Sequence, residues 1–464
     1  MGDAPANTGR GHAPLARTVG RGALLLFVVG DILGAGIYAL TGKVAAEVGG
    51  ALWAPFLGAF VLAGLTATAY AELVGKYPQA AGAALYANKA FDRPFVTFLV
   101  AFAVMMSGVT SAAAAARAFG GDYLEAFVSV PTVVAALGFL AVVSLVNFVG
   151  ISESVKVNVV LTIVEVGGLL VVIAIGTWAL VQGDGDPGRA LEFSGEGGVL
   201  LALLGGTALA FYALLGFEDS VNLAEETRDP SRAFPRALFG GLAITGVIYL
   251  AVAFTSTMLV DTATLAASSG PLLEVVRVAG LAFPPTLFAF IALMAVSNTA
   301  LMNMIMASRL VYGMAQERIV PSVLGRVHER RRTPWVAILL TAAVAAGLVT
   351  TGDLSGLADT AVLLLLIVFA VVNVSALVLR SDPVVHEHFR APTWAPVLGA
   401  LACLVLASPL TGRDASVYVR AGVLLGIGAL LWSLNRLAGR REAAAVAGRW
   451  STRRSRPASG TPAG

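Results

Sequence analysis

The stretch Gly30-Asp31-Ile32-Leu33-Gly34-Ala35-Gly36-Ile37-Tyr38 lies in the middle of the first long apolar run of the chain. A membrane-spanning helix satisfies its own backbone hydrogen bonds, but three glycines and a carboxylate at mid-depth make such a helix locally unstable. A break exposes backbone N–H and C=O groups, which cost several kcal/mol each in hydrocarbon. Because such a break is tolerated where it lines a protein-enclosed cavity, the stretch predicts a ligand site inside a membrane protein.

The composition agrees with a membrane protein. Of the 464 residues, 57% are apolar and 13% are charged, whereas soluble domains contain roughly 25% charged residues. The single cysteine, Cys403, excludes an intramolecular disulfide bond and a cysteine metal cluster. The four histidines lie outside the apolar runs, and His386-Glu387-His388 is better explained as a solvated loop than as a metal site. We therefore expect no metal and no cofactor.

Apolar runs of about 18 residues or more, bounded by charged residues, proline or glycine, predict twelve membrane spans. The first run is interpreted as an uncleaved span rather than a signal peptide. The predicted spans are 22–48, 53–76, 94–118, 131–149, 157–181, 199–224, 236–260, 282–313, 335–351, 357–379, 393–410 and 416–436.

Lysine and arginine are distributed unequally between the two sides of this arrangement. The side that carries both termini holds 25 of the 31 basic residues. The positive-inside rule therefore predicts a multi-pass protein of the cell membrane with both termini in the cytoplasm. Residues 1–21 would form a cytoplasmic N-terminal tail, and residues 437–464 a basic, disordered cytoplasmic tail. This pattern indicates contact with the lipid bilayer and not with nucleic acid.

A second irregular stretch, Phe211 to Asp219, interrupts the sixth span. Glu218 and Asp219 are adjacent carboxylates in an apolar run, and they are costly unless they face protein or water. Spans 1 and 6 are five apart, so the chain enters them from opposite sides. If 22–181 and 199–379 are copies of one repeat, the second copy is inverted and both interrupted helices meet at the midplane. Residues 393–436 would then add two further spans.

Three motifs resemble the amino acid permeases of the amino acid–polyamine–organocation (APC) superfamily. They are Gly34-Ala35-Gly36-Ile37, the stretch from Pro78 to Tyr86, and Gly216-Phe217-Glu218 followed by the stretch from Ala224 to Arg232. The resemblance covers spans 1 to 10 well, and spans 11 and 12 only in number and length. It implies an all-α integral membrane protein with a 5+5 inverted-repeat (LeuT-type) core and two additional C-terminal helices. It also implies secondary active transport of amino acids.

The predicted substrate site combines the two interruptions. A half-helix that begins after Gly34 presents N–H groups and a positive end that suits a carboxylate. A half-helix that ends before Gly216 presents carbonyl groups to an ammonium group, and the family uses these positions in this way. The alternative is that the glycines only allow close helix packing. The predicted substrate-binding residues are Gly34, Ala35, Gly36, Ile37, Tyr212, Ala213, Leu215 and Gly216.

Two residues carry predicted gating roles. Tyr212 occupies the position where the resemblance implies an aromatic gate over the substrate; its alternative is a tyrosine at the bilayer interface, against which its mid-span position argues. Glu218 lies where the family places an acid-sensing or gating carboxylate. Its alternative is a helix-capping acid.

Glu165 is a departure from the family pattern. Proton-coupled members carry a lysine near this position, in a space that sodium occupies in sodium-coupled relatives. Two carboxylates in a low-dielectric pocket cannot easily both be ionised, so Glu165, coupled to Asp31, is predicted to carry a proton. The same oxygen-rich cluster suits Na⁺ as the alternative ion. The predicted coupling residues are Glu165, Asp31, Gly30, Leu33, Ser297 and Asn298.

Other functional classes fit the sequence less well. An enzyme is not expected, because no histidine lies within a span to build a nucleophile–base arrangement. A channel would show filter loops or polar rings rather than paired interrupted helices. The chain has no Gly-x-x-x-x-Gly-Lys-Ser/Thr motif for direct use of ATP. An amino acid or amine exchanger of the same fold stays open, as do the particular substrate and the choice between monomer and homodimer.

Overall fold

A computed structural model describes residues 17, 19–79, 82–150, 154–195, 197–280, 283–317 and 319–454. Side chains at 154–159 and 438–454 are outside this description. Most of the predicted N-terminal tail and the last ten residues of the predicted C-terminal tail also lie outside the described residues, as do Ala80 and Ala81 of the second family motif.

The described part of the chain is all-helical, as predicted, and the backbone pairing found in it consists of isolated bridges. The first half contains α1 (Arg21–Ile32), α2 (Ala35–Val48), α3 (Trp53–Lys76), α4 (Gly82–Phe91), α5 (Pro94–Phe119), α6 (Asp122–Glu125), α7 (Thr132–Val149) and α8 (Ser154–Gln182). The second half contains α9 (Val199–Ala210), α10 (Pro230–Leu259), α11 (Thr262–Ala267), α12 (Pro271–Val278), α13 (Pro285–Gln316), α14 (Trp335–Thr351), α15 (Leu354–Val378), α16 (Trp394–Ala407) and α17 (Ala415–Arg454).

Within the described ranges, nine helices are long and apolar enough to cross a membrane. The pair α1 and α2 adds a tenth span, bent by 40° at its break, and α14 and α16 are shorter apolar helices. Each of the twelve predicted spans contains one of these helices or the bent pair. The multi-pass membrane protein is thereby confirmed, while the count of twelve and the inverted repeat stay predictions.

The pattern of burial is that of a protein in lipid. Large apolar side chains point outward, among them Val142, Ile163 and Leu200, which are 59%, 62% and 72% exposed. Acidic side chains such as Glu72 and Glu165 are instead buried between helices. In lipid there is little hydrophobic drive to hide apolar residues, so small residues and hydrogen bonds hold the helices together.

Two sets of contacts define the ends of the bundle. At one end, called the N-side, Arg21 pairs with Asp229 at 3.7 Å and the Ser231 hydroxyl donates to the Gly75 carbonyl at 3.1 Å. These contacts bring together the beginnings of α1 and α10 and the end of α3. At the opposite end, called the far side, the Ala51 N–H donates to the Glu192 carbonyl at 3.0 Å.

The helices of the first and sixth predicted spans are both interrupted in the structure, as the sequence indicates. The first leaves helical geometry at Leu33 and Gly34, and α2 restarts at Ala35. The second ends α9 at Ala210, continues as the 3₁₀ turn Phe211–Leu214, and resumes as the 3₁₀ segment Asp219–Glu226. Between them Gly216 has φ +121°, a conformation that side-chain-bearing residues rarely adopt. Glycine at this position therefore allows the sharp turn between the two 3₁₀ segments.

Candidate functional site

A cavity of about 140 Å³ lies where the two interruptions face each other. Its wall includes the break in the first span, the turn after α9, and side chains of α3, α5 and α13. It extends toward the N-side, because Tyr70 and Asn222 line it. On the far half of α2, Tyr38 and Thr41 are fully buried and are not part of the wall.

The two interrupted helices are in direct contact. A Cβ atom placed on Gly36 would lie 2.4 Å from the Ala213 Cα atom, so only hydrogen fits at this point. The Tyr249 hydroxyl of α10 faces the carbonyl oxygens of Ile32 at 2.7 Å and Ala213 at 3.0 Å. Tyr249 therefore bridges the end of α1 and the turn after α9.

The start of α2 presents N–H groups at the cavity. The first of them, Ala35 N–H, donates to the Thr299 hydroxyl of α13 at 2.8 Å. The next amides, Gly36 and Ile37, belong to the first helical turn, where N–H groups have no partner within the helix. Gly34, Ala35 and Gly36 line the cavity, whereas Ile37 is fully buried behind it.

The turn after α9 presents carbonyl groups on the facing wall. The Tyr212 carbonyl accepts from Leu215 N–H at 3.3 Å, and the Ala213 carbonyl faces Tyr249. The Tyr212 hydroxyl lies 2.9 Å from the Ser111 hydroxyl and donates to the Ser111 carbonyl at 3.1 Å. Tyr212, Ala213, Leu215 and Gly216 all line the cavity. The Tyr212 ring is thereby fixed against α5 in this arrangement, while its gating role stays a prediction.

Glu218 and Asp31 lie on either side of Gly216. The Gly216 N–H donates to Glu218 Oε2 at 2.9 Å. A Cβ atom placed on Gly216 would lie 2.5 Å from the Asp31 carbonyl oxygen and 3.2 Å from the Asp31 Cγ atom. Glu218 directly precedes the 3₁₀ segment Asp219–Glu226 but makes no side-chain capping bond to it, and its bond to Gly216 N–H fixes the preceding turn instead. The capping bond of the alternative interpretation is therefore not observed, and the gating role stays a prediction.

Glu165 lies behind the cavity, in the contact between α1 and α8. A Cβ atom on Gly30 would lie 2.6 Å from the Thr162 side chain, one helical turn before Glu165. Asp31 and the Asn298 amide face Glu165, although the amide does not reach hydrogen-bonding geometry. Gly30, Asp31 and Asn298 line the cavity, but Glu165 does not.

The other two predicted coupling residues lie away from the cavity wall. Leu33 is fully buried, and the Ser297 hydroxyl donates to the Leu293 carbonyl of its own helix at 2.6 Å. Among the described residues, no group of three or more His, Cys, Asp or Glu side chains is arranged to hold a metal ion.

Several polar residues of the site have no counterpart in the sequence-based prediction. Thr299, Asn303 and Ser111 form a chain in which the Asn303 amide donates to the Thr299 carbonyl at 2.9 Å and to the Ser111 hydroxyl at 3.4 Å. Tyr249 is the fourth. Each is a polar side chain within an apolar run, and this is the signal in the sequence that identifies them.

These features define a class, the multi-pass helical membrane transporters with an enclosed central cavity. The chain belongs to the amino acid permease family, because the family model described as amino acid permease matches residues 21–420. Transporters of this family are not enzymes.

Three relatives illustrate the similarity. An uncharacterized transporter of Mycobacterium tuberculosis is 30% identical over 92% of this chain and 93% of its own length. The branched-chain amino acid permease BcaP of Bacillus subtilis is 25% identical over 91% and 94%. The chloroplastic cationic amino acid transporter 9 of Arabidopsis thaliana is 29% identical over 68% of this chain and 58% of its own length.

Proposed function

We propose that this protein is a secondary active transporter that moves amino acids across the cell membrane by alternating access. The observation that carries the proposal is the meeting of two interrupted helices at one cavity. One presents the N–H groups that follow Gly34, and the other presents the carbonyl groups of Tyr212 and Ala213. These opposite partial charges match the carboxylate and ammonium groups of an amino acid.

The proposed architecture is a 5+5 inverted repeat. The interruptions at Leu33–Gly34 and Leu215–Gly216 occur at corresponding places in the first and sixth spans, which supports two copies of opposite orientation. The N-side would be cytoplasmic, because the loops there carry most of the lysine and arginine residues.

The proposed coupling ion is the proton, carried by Glu165 with Asp31 nearby. The complete burial of Glu165 supports this role, because a buried carboxylate without a partner is far more stable when it holds a proton. Sodium coupling and obligatory exchange are the competing mechanisms in the same fold.

Binding is tested first on the purified protein. Thermal unfolding is measured with a panel of amino acids and amines, and leucine and arginine are included because the named relatives differ in the charge of their substrates. A ligand at 100 times its dissociation constant stabilises the folded state by about 2.7 kcal/mol. We expect a shift with at least one amino acid; no shift with any of them would refute the amino acid site.

Transport is tested in liposomes that contain the purified protein. Uptake of the labelled substrate is measured with and without internal unlabelled substrate, with and without an inward proton gradient, and with sodium or potassium outside. Uptake into empty liposomes that rises with the proton gradient supports a symporter. Uptake that needs internal substrate identifies an exchanger, and uptake that needs sodium identifies a sodium symporter.

A further inference from the structure

Glu165 differs from the other buried acids in having no partner. Its side chain is 0% exposed, and neither carboxylate oxygen has a hydrogen-bonding partner among the described residues. Glu72, which is equally buried, instead accepts from Arg380 at 2.8 Å and from the Ala391 N–H at 2.9 Å. An ionised carboxylate without a partner costs several kcal/mol in the protein interior. A proton on Glu165 removes this cost, and the proposed coupling then requires a route by which that proton leaves.

The groups around Glu165 limit the possible routes. The Tyr38 hydroxyl donates to the Glu165 main-chain carbonyl at 2.6 Å, and the Tyr249 hydroxyl donates to main-chain carbonyls of the interrupted helices. Asn298 is an amide and does not titrate. Asp31 is the acidic side chain that faces Glu165, and it lies on the cavity side. Asp31 is therefore the acceptor that the surroundings offer.

Asp31 neighbours the buried Glu165 and also lines the cavity. Its Oδ2 atom is buried without a partner, while the residue as a whole is half-buried and lines the cavity. Across Gly216, which has no side chain to separate them, it faces Glu218 and Asp219. Glu218 is held by the Gly216 N–H, whereas Asp219 is half-buried and lines the same cavity.

The charges of the wall favour proton transfer along these groups. Among the described residues that line the cavity there is no lysine, arginine or histidine. A basic side chain would hold a neighbouring carboxylate in its ionised form and block its use as a carrier. Tyr70 is the other titratable group that faces Glu218 and Asp219. The described part of the wall therefore contains no basic side chain that would keep these acids ionised.

We infer that Asp31 passes the coupling proton from Glu165 to the cavity and that Asp219 releases it to water on the N-side. The inference rests on the proposed proton coupling. In the first step the O–H bond of the Glu165 carboxyl group breaks and an O–H bond forms on Asp31. In the second step the O–H bond of Asp31 breaks and one forms on Asp219, which then protonates water. Each step moves one proton, and no group is oxidised or reduced.

The test compares two modes of transport in liposomes for Asp31→Asn and Asp219→Asn. The first mode is net uptake driven by an inward proton gradient, with internal pH followed by a trapped dye. The second is exchange of labelled for internal unlabelled substrate at equal pH, which needs no net proton release. Asp184→Asn, an exposed acid in the loop after α8, is the matched control.

We expect the ratio of net uptake to exchange to fall by about tenfold or more in Asp31→Asn, and by a smaller factor in Asp219→Asn, because each loses a proton carrier. Internal acidification should fall with net uptake, and the control should keep the wild-type ratio. Asp31→Glu should recover part of the ratio, which a purely structural role would not allow.

Different outcomes test the roles of Asp31 and Asp219 and the proton coupling on which those roles rest. A wild-type ratio in Asp31→Asn, or equal loss of both modes, would overturn the role of Asp31. A wild-type ratio in Asp219→Asn would overturn the role of Asp219 and would decide the question for that residue even if Asp31→Asn fails to fold. If uptake by the wild-type protein does not depend on the proton gradient, the proton coupling on which the inference rests is refuted.

Discussion

The far side of the bundle and the region around the break in the first span differ in how their polar groups are satisfied. On the far side, Asp122 Oδ2 accepts from the Ser268 hydroxyl at 2.7 Å and from the Ser269 and Gly270 amides at 2.8 Å and 3.2 Å. These bonds tie the segment between the short helices α11 and α12 to the start of α6. Around the break in the first span, Asp31 and Glu165 keep carboxylate oxygens without partners. The far side is thus held by completed hydrogen bonds, whereas the region around the break contains acidic groups that no donor in the described structure satisfies.

Further contacts close the far side. The Lys43 ammonium group donates to the Ala266 carbonyl at 3.2 Å, and the Tyr123 hydroxyl donates to the Tyr38 carbonyl at 2.7 Å. A Cβ atom on Gly42 would overlap the Leu265 carbonyl oxygen at 2.0 Å. In contrast, Gly82 and Ala83 of α4 line the cavity itself on the N-side. Under the proposed alternating access, opening of the far side therefore has to break these specific far-side bonds.

The largest expected effect comes from the point where the two interrupted helices touch. Gly36→Ala places a methyl group 2.4 Å from the Ala213 Cα atom, which belongs to the backbone and cannot rotate away. Overpacking of this kind costs about 1–3 kcal/mol or more. We expect substrate-dependent thermal stabilisation and uptake to be lost. Gly347→Ala, which meets open space, is the control and should behave as wild type. Normal uptake by Gly36→Ala would show that the contact is not required.

The second effect concerns the closed end. Asp122→Ala removes an acceptor that serves three donors, and hydrogen bonds to charged groups contribute about 1.5–3 kcal/mol each. The far side should therefore open more often. The measurement is the labelling rate of Thr41→Cys by a membrane-impermeant maleimide, in a chain whose buried Cys403 is replaced by alanine.

The control for this measurement is Asp261→Ala in the same far-side segment. Asp261 caps α11 by accepting from the amides of Ala263 and Thr264, so its removal leaves the bonds to Asp122 of α6 intact. Faster labelling in Asp122→Ala than in Asp261→Ala is the expected result. Equal rates in both variants would mean that Asp122 does not hold the far side closed.

A smaller effect is expected at the bridge between the interrupted helices. Tyr249→Phe removes the hydroxyl that faces the Ile32 and Ala213 carbonyls, at a cost of about 0.5–1.5 kcal/mol for one hydrogen bond. Substrate affinity should weaken by about tenfold, because 1.4 kcal/mol corresponds to that factor. Tyr418→Phe is the control, since its buried hydroxyl has no partner in the described structure and its loss should cost nothing. Equal affinities in the two variants would exclude a bridging role.

The smallest effect separates a structural role of Glu218 from a gating role. Glu218→Gln keeps an oxygen that can accept from Gly216 N–H, whereas Glu218→Ala loses this hydrogen bond at a cost of about 1 kcal/mol. If Glu218 only fixes the turn at Gly216, thermal stability falls in the alanine variant alone and the pH profile of uptake is unchanged in the glutamine variant. If it also gates, the glutamine variant loses part of its pH dependence.

The sequence predicts the interruptions because their causes are local. Gly34 and Gly216 sit beside carboxylates in apolar runs, and both breaks occur where the pattern indicates. The bond between Asp122 and Ser268 joins residues 146 positions apart and leaves no periodic signal. The same holds for Tyr249, whose hydroxyl reaches main-chain carbonyls that any residue type would provide. The positions of the helix breaks could therefore be predicted from the sequence, whereas the distant residues that form hydrogen bonds around them could not.

Helix geometry and boundaries also differ from the local expectation. The half-helix expected after the second interruption is a 3₁₀ segment, Asp219–Glu226, which tightens the backbone where Glu218 binds Gly216 N–H. In the region predicted as a disordered tail from residue 437, the backbone continues as helix to Arg454. Alanine and arginine are strong helix formers, and this preference extends the helix beyond its apolar part.

The Tyr249 hydroxyl has one hydrogen and faces two carbonyl oxygens. The Ile32 carbonyl also accepts from Gly34 N–H at 2.7 Å, so it keeps a donor when the Tyr249 hydrogen points to Ala213. The single hydroxyl hydrogen can therefore move between the two interrupted helices without leaving the Ile32 oxygen unpaired. Rotation about one C–O bond is enough to change which of the two helices Tyr249 holds.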